Sequence, residues 1–222
     1  MSSLLPLIEL TTGSNPTASV IWLHGLGADG NDFVPVVDEL GLPPRLAVRF
    51  IFPHAPMQPV TINGGFVMRA WYDIAAADLS LREDEAGVRQ SQREIEKLIA
   101  REKNCGIPAG KIVLAGFSQG GAIALQAGLR HPERLAGVLA LSAYLPLPST
   151  LAAEANAANA DVPIFMAHGS ADPTIPLLLA SLSRQRLEQQ GSQVEWHQYL
   201  MPHSLCPEEI QDIGAWLQRR LS

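Results

Sequence analysis

An α/β fold, with a mostly parallel central sheet covered by helices on both faces, is what this sequence predicts. Two observations carry that expectation. Short apolar runs rich in β-formers alternate along the chain with longer segments of helical periodicity, the rhythm of strand–helix–strand units. The chain also has the material for a large core, since 47% of its 222 residues are hydrophobic and 17% are charged. No internal repeat and no linker divides it, so residues 1–222 are expected to form one domain.

The strand candidates, in order, are a short run at Leu7–Thr11, then Val20–Leu23, Arg45–Phe52, Ile112–Ala115, Gly137–Leu141 and Ile164–Ala167. These middle runs are apolar throughout, as strands buried on both faces are. Val194–Tyr199 alternates with polar residues and reads as an edge strand. Helices are expected at Glu83–Lys103, where Val88, Ile95, Leu98 and Ile99 share a face and Gly106 follows as a stop. Ser118–Arg130 is apolar nearly all round and predicts a buried helix. Leu177–Gln190 ends at Gly191, and Pro207–Leu221 closes the chain. Pro53–Asp78 and Tyr144–Pro163 break the rhythm. Both follow a strand at its carboxyl end, where open α/β sheets place their sites.

Bulk properties exclude several classes of function. The net charge is −6 with no run of Lys or Arg, so a nucleic-acid partner is not expected. No window approaches the ~18 continuous apolar residues of a membrane span. The N-terminal MSSLLPLIEL lacks the basic and long apolar regions of a signal peptide. Cys105 and Cys206 read as two ordinary thiols in a reducing compartment, so a cytoplasmic location is expected.

Gly116-Phe117-Ser118-Gln119-Gly120 matches G-x-S-x-G. As a bare string, such a match arises by chance in roughly one chain in ten of this length. Its setting makes it specific, because it directly follows the strand IVLA and directly precedes the apolar helix. A serine hydroxyl is a weak nucleophile and must project to where a base can reach it. A sharp strand-to-helix turn achieves this at a strain of about 1–3 kcal/mol. Glycines on either side remove the Cβ atoms that would clash across such a turn. Ser118 is therefore the expected nucleophile.

The base must be a histidine, and in this setting it follows the acid, which follows the serine. His168, His197 and His203 lie downstream. His168 ends a strand and leaves no room for a preceding acid; His197 lies inside one. His203, in the loop after Val194–Tyr199, is the expected base. Asp172 follows Ile164–Ala167 in the segment HGSADP and is the expected acid, whereas Asp161 precedes that strand and emerges at the wrong end of the sheet. An ionised Asp172 would accept the His203 Nδ1–H and stabilise the imidazolium formed on attack. An oxyanion then needs N–H donors. One is expected from Gln119 and the second from Leu26, in the glycine-rich loop His24–Gly30 after Val20–Leu23. That loop lacks the Lys-Ser/Thr ending of a P-loop and the spacing of a dinucleotide loop. Together these residues predict the α/β-hydrolase fold without a large cap domain.

Nearly the whole chain resembles the carboxylesterase/acyl-protein thioesterase family of small α/β hydrolases, also called the phospholipase/carboxylesterase family. The resemblance rests on VIWLHGLGADG, on FPHAP followed by VTINGG and AWYDI, on LAGFSQGGAIAL, on HGSADPTIP and on EEIQDIGAWL. The wording of VTINGG and WYDI is similar to the bacterial carboxylesterase branch. The resemblance implies a triad of Ser118, Asp172 and His203, and an oxyanion hole at Leu26 and Gln119. It also implies cleavage of esters or thioesters through an acyl-enzyme, with no cofactor and no metal. Acyl chains are expected in an apolar groove, and several members are dimeric, so a homodimer is among the expectations. The family usually reads G-H-E at the catalytic histidine, whereas this chain reads Met201-Pro202-His203-Ser204. Pro202 fixes φ and removes an N–H, so a differently posed loop is expected there.

The expected substrate is a small-molecule ester with a short-to-medium acyl chain, bound near Leu26, Met68, Trp71 and Leu145. Acyl-protein thioesterase and lysophospholipase activities are the alternatives with the same triad. A small-ligand binding protein on the same fold is the alternative of another class.

Overall fold

The computed structural model describes residues 4–76 and 83–222; the end of the expected Pro53–Asp78 excursion, from residue 77, lies outside the described residues. The chain runs through β1 (Leu7–Thr11), β2 (Ala18–Leu23), α1 (Val36–Glu39), β3 (Val48–Pro53), β4 (Met57–Val60) and β5 (Phe66–Arg69). It continues through α2 (Glu85–Asn104), β6 (Ile112–Phe117), α3 (Gln119–Arg130), β7 (Gly137–Leu141) and α4 (Leu151–Glu154). It finishes with β8 (Ile164–Gly169), α5 (Leu177–Gln189), β9 (Val194–Tyr199) and α6 (Pro207–Leu221). Seven strands form one sheet in the order β1-β3-β2-β6-β7-β8-β9. Only β1 runs antiparallel, against β3. This is the mostly parallel sheet of the α/β-hydrolase fold.

Alternation along the buried strands assigns the two faces. On β2, Ile21 and Leu23 pack with α2 and α3, while Val20 and Trp22 pack with α1 and α6. β9 is the polar-alternating edge strand that its sequence predicts. α2 is capped by Asp84, whose carboxylate accepts from Gly87 N at 2.9 Å. α6 begins with Pro207, carries acids in its first turn and ends with Arg219 and Arg220, all favourable for a helix dipole.

Three local features depart from the expectations. The strand expected from Arg45 starts only at Val48, because Leu46 N bonds Pro43 O at 2.8 Å and holds that stretch in a turn. The excursion after β3 contains an antiparallel hairpin, β4–β5, whose two strands pair with each other. The Tyr144–Pro163 stretch holds α4 and a single 3₁₀ turn.

Two buried carboxylates show opposite ways of living in this core. Glu102 is fully buried and paired with Arg49 at 3.1 Å, Arg101 at 2.9 Å and the Ser19 hydroxyl at 2.9 Å. Glu209, third residue of α6, is equally buried, yet among the described residues neither of its carboxylate oxygens makes a well-formed hydrogen bond. Burial raises its pKa from 4.5 to about 8, opposed by the Cys206 backbone N–H and assisted by the nearby Asp212. Glu209 is therefore a neutral acid at neutral pH.

The sign of its linkage to stability follows. The unfolded chain ionises this group near 4.5 and the folded chain near 8. Its contribution is fully present below pH 4.5 and is lost as the pH rises to 8, by about 4–5 kcal/mol in all. Glu209→Gln removes the titration, so the variant gains stability relative to the native chain between pH 5 and pH 8. Urea unfolding of both proteins at those two pH values measures the gain. A stability difference independent of pH would refute the burial argument.

Candidate active site

The carboxyl ends of β2, β6, β8 and β9 converge on Ser118. It stands between β6 and α3 with φ 55° and ψ −122°, a strained conformation for a residue with a side chain. The turn is possible only because the chain is bare around it. A Cβ on Gly116 would lie 2.2 Å from the Gly120 carbonyl carbon, and one on Gly120 would lie 2.3 Å from Leu23 O. Ser118 N is anchored to Leu141 O at 2.8 Å, and Ser118 O accepts from Ala122 N at 3.1 Å. The serine is thus held as the hinge of a strand–turn–helix unit and is 8% exposed.

Asp172 and His203 come from the loops after β8 and β9, and these loops are stitched together by backbone bonds. Ser170 N donates to Tyr199 O at 2.8 Å and Ala171 N to Met201 O at 3.1 Å. Gly169 lies so close to the second loop that a Cβ would meet the Met201 and Pro202 carbonyl oxygens at 2.4 Å. Across this seam, His203 Nδ1 bonds Asp172 Oδ2 at 2.6 Å. The carboxylate is fully buried, and its other oxygen accepts from Thr174 N at 2.8 Å and Ile175 N at 2.9 Å. These bonds keep the Asp172 carboxylate aimed at the imidazole. The His203 ring packs on Phe117, with centroids 4.6 Å apart, which sets it beside the residue preceding Ser118. Ser118 and His203 are not hydrogen-bonded in this structure; such pairs often tighten only around substrate.

The neighbouring His168 supports the acid rather than the serine. Its Nε2 lies 2.9 Å from Ile175 O and 3.4 Å from Asp172 Oδ2. The carbonyl partner places the proton on Nε2, and burial lowers the pKa of the ring, so it is neutral. His197 lies in β9, stacked on Phe165 with centroids 4.7 Å apart.

The two expected oxyanion donors face the same site. Among the described residues, the backbone N–H groups of Leu26 and Gln119 donate to no protein acceptor. The loop carrying Leu26 is pinned on both sides. Gly27 N bonds Arg69 O at 2.9 Å, and the buried His24 ring bonds Gly25 O at 2.7 Å and takes the Ala55 N–H at 3.0 Å. A carbonyl at Nδ1 and an N–H at Nε2 fix the tautomer with its proton on Nδ1. Burial lowers the His24 pKa and keeps it in that form.

The Gln119 side chain has a part the sequence did not reveal. Its Oε1 accepts from Trp71 N at 2.9 Å, and its Nε2 donates to Tyr72 O at 2.7 Å. A Gln within G-x-S-x-G carries no signal that its amide will tie down a segment almost fifty residues upstream.

A cavity of about 260 Å³ opens over Ser118, lined by Leu26, Gln119, Ile62, Asn63, Tyr72, Ile74, Tyr144, Thr174 and Ile175. Three residues expected beside the acyl chain are not among these. Trp71 is 1% exposed and serves as a brace behind the site, its Nε1 donating to His24 O at 2.8 Å. Leu145 lines a separate hollow of about 390 Å³ with Leu179 and Leu182. Met68 sits on β5 with its sulfur against Gly27 and the Asn63 amide, beside the cavity rather than in it. The misplacement has one cause: apolar residues near a motif look alike in sequence whether they face a core or a cavity. The larger hollow of about 460 Å³, at the amino ends of β8 and β9, contains none of the triad residues. Among the described residues, no cluster of three His, Cys, Asp or Glu could hold a metal, and no helix is long and apolar enough to cross a membrane.

Comparison with known proteins agrees with this architecture. A profile of the Phospholipase/Carboxylesterase family matches residues 10–221. The chain is 42% identical to acyl-protein thioesterase 1 of Mycosarcoma maydis, over 96% of this chain and 95% of the relative. It is 44% identical to acyl-protein thioesterase 1 of Neurospora crassa, over 92% of this chain and 87% of the relative. Among solved structures, acyl-protein thioesterase 2 of Zea mays superposes with a TM-score of 0.87 at 28% identity, over 98% of this chain and all of the other. The strand–turn–helix unit at Ser118, the mostly parallel sheet and a match over nearly its full length lead to one conclusion: the chain belongs to the phospholipase/carboxylesterase family of α/β hydrolases, which cleave ester and thioester bonds.

Proposed function

We propose that the protein is a serine carboxylesterase that hydrolyses esters of short-to-medium acyl chains through an acyl-enzyme. The observation that carries this reading is the 2.6 Å bond between His203 Nδ1 and a fully buried Asp172, delivered beside a serine held in a strained turn. Ser118 Oγ attacks the acyl carbonyl while His203 takes its proton. The oxyanion is received by the N–H groups of Leu26 and Gln119. His203 then protonates the leaving alcohol and later activates the water that releases the acid. The cavity, about 260 Å³, lies just below the range of sites for drug-sized ligands, which favours shorter acyl groups.

Acyl-protein thioesterase activity is the second reading, favoured by the printed names of the relatives at 42% and 44% identity. The same acyl-enzyme serves both, since only the leaving group differs. Rates on p-nitrophenyl butanoate, octanoate and palmitate, set against an S-palmitoylated peptide, separate the two. Faster turnover of the palmitoyl thioester than of every short ester would displace the carboxylesterase reading.

Two outcomes test the machinery itself. A fluorophosphonate is expected to label Ser118 in the native chain, and Ser118→Ala to lose both labelling and about 10⁴–10⁶-fold in kcat. An unlabelled native protein would instead point to a binding protein on a hydrolase fold. Asp172→Asn keeps an oxygen for the Thr174 and Ile175 N–H groups but presents an amide to His203. Its kcat is expected to fall about 10³–10⁴-fold with little change in melting temperature. Near-native kcat in that variant would remove Asp172 from the triad.

A further inference from the structure

The cavity over Ser118 is largely apolar, but its wall holds two tyrosines whose hydrogen-bonding capacity is not used up among the described residues. Tyr72 and Tyr144 are 3% and 5% exposed, and both line the cavity. Their hydroxyls are 2.8 Å apart. Two phenols carry two protons, and one O–H···O bond consumes one of them. Among the described residues, neither hydroxyl has an acceptor for the other. Glu83 shares a void of about 10 Å³ with both rings, at the lower limit of what holds one water. Its Oε1 already accepts from Leu147 N at 2.9 Å, and it bonds neither hydroxyl. Burial pushes the Tyr144 phenol up to about 12 and raises that of Tyr72 as well, so both protons persist throughout the neutral range.

Of the other polar residues of the cavity, Ser118 is the reacting centre, Gln119 has its amide bonded to Trp71 N and Tyr72 O, and Asn63 and Thr174 are exposed. The tyrosine pair is different, because an occupant of the cavity displaces any water from it. A plain alkyl chain would then leave a buried O–H unpaired, at a real free-energy cost. A chain with a carbonyl oxygen at the right depth would take that proton.

Resting on the reading of Ser118 as nucleophile, we propose that the Tyr72–Tyr144 hydroxyl pair selects acyl groups bearing a carbonyl oxygen along the chain over plain alkyl chains of equal length. Sites built around a hydrogen-bond donor discriminate strongly against analogues that lack the acceptor.

The test compares p-nitrophenyl hexanoate and octanoate with their analogues carrying a ketone at carbon 4 or 5, and at carbon 6 for the octanoate. At one of these positions the native enzyme is expected to show kcat/KM about tenfold or more above the alkyl parent. In Tyr72→Phe/Tyr144→Phe that ratio falls to about one. The single variant Tyr144→Phe, checked for folding by thermal unfolding, is expected to lower the ratio if the double variant does not fold. A native enzyme that prefers the alkyl parent at every position overturns the proposal, as does a ketone preference that survives loss of both hydroxyls. Hydrolysis of alkyl esters without ketone preference leaves Ser118 in place and removes only the tyrosine pair. Failure to hydrolyse any ester overturns the nucleophile reading, and the selection proposal with it.

Discussion

The first turn of α3 lies against the end of β2 with no side chain between them. A Cβ on Gly120 would stand 2.3 Å from Leu23 O and 2.6 Å from His24 O, closer than any real side chain approaches backbone. That contact sets the distance between the two segments that carry Leu26 and Gln119, the proposed oxyanion donors. It also forces the tight exit from β6 that leaves Ser118 at φ 55°. The strain of the serine is balanced by what surrounds it, since parallel strands and α3 leave the turn no room to relax. Geometry at the centre of the site is thus a packing property of the whole sheet.

A second seam depends on the same sheet order. Because β8 and β9 are parallel neighbours, their following loops emerge side by side and can bond through Ser170–Tyr199 and Ala171–Met201. Asp172 and His203 need no contact of their own to be adjacent; the backbone seam places them. Pro202 gives up an N–H in this loop at no cost to the seam, because the bonds there use carbonyl oxygens of Met201 and Tyr199. The departure from G-H-E is therefore compatible with a closed Asp172–His203 pair.

Much of this was legible in the sequence for specific physical reasons. Apolar runs buried on both faces announce parallel strands, and the positions of Ser118, Asp172 and His203 relative to strand ends follow from topology. Leu26 was an expectation because glycines mark a backbone that must approach closely. What was hidden depends on side chains whose direction one sequence does not state. Trp71 and Leu145 turned inward, whereas Tyr72, Ile62 and Ile175 face the cavity. The β4–β5 hairpin was obscured by its Pro and Gly content, and Arg45–Ala47 by a turn that propensity does not register. The buried carboxylate of Glu209 looked like an ordinary first-turn acid.

Gln119 joins two structures that need not have been joined. Its backbone N–H points at the proposed oxyanion, while its amide grips the main chain of Trp71 and Tyr72 at 2.9 and 2.7 Å. The wall of the cavity and the electrostatics of the reaction therefore share one residue. Moving that wall would therefore re-aim a donor. The Ile62–Asn63 tip between β4 and β5 and the Thr174–Ile175 loop line the same cavity without a bond to the Gln119 amide. Those segments are the adjustable rim of a site whose back is fixed.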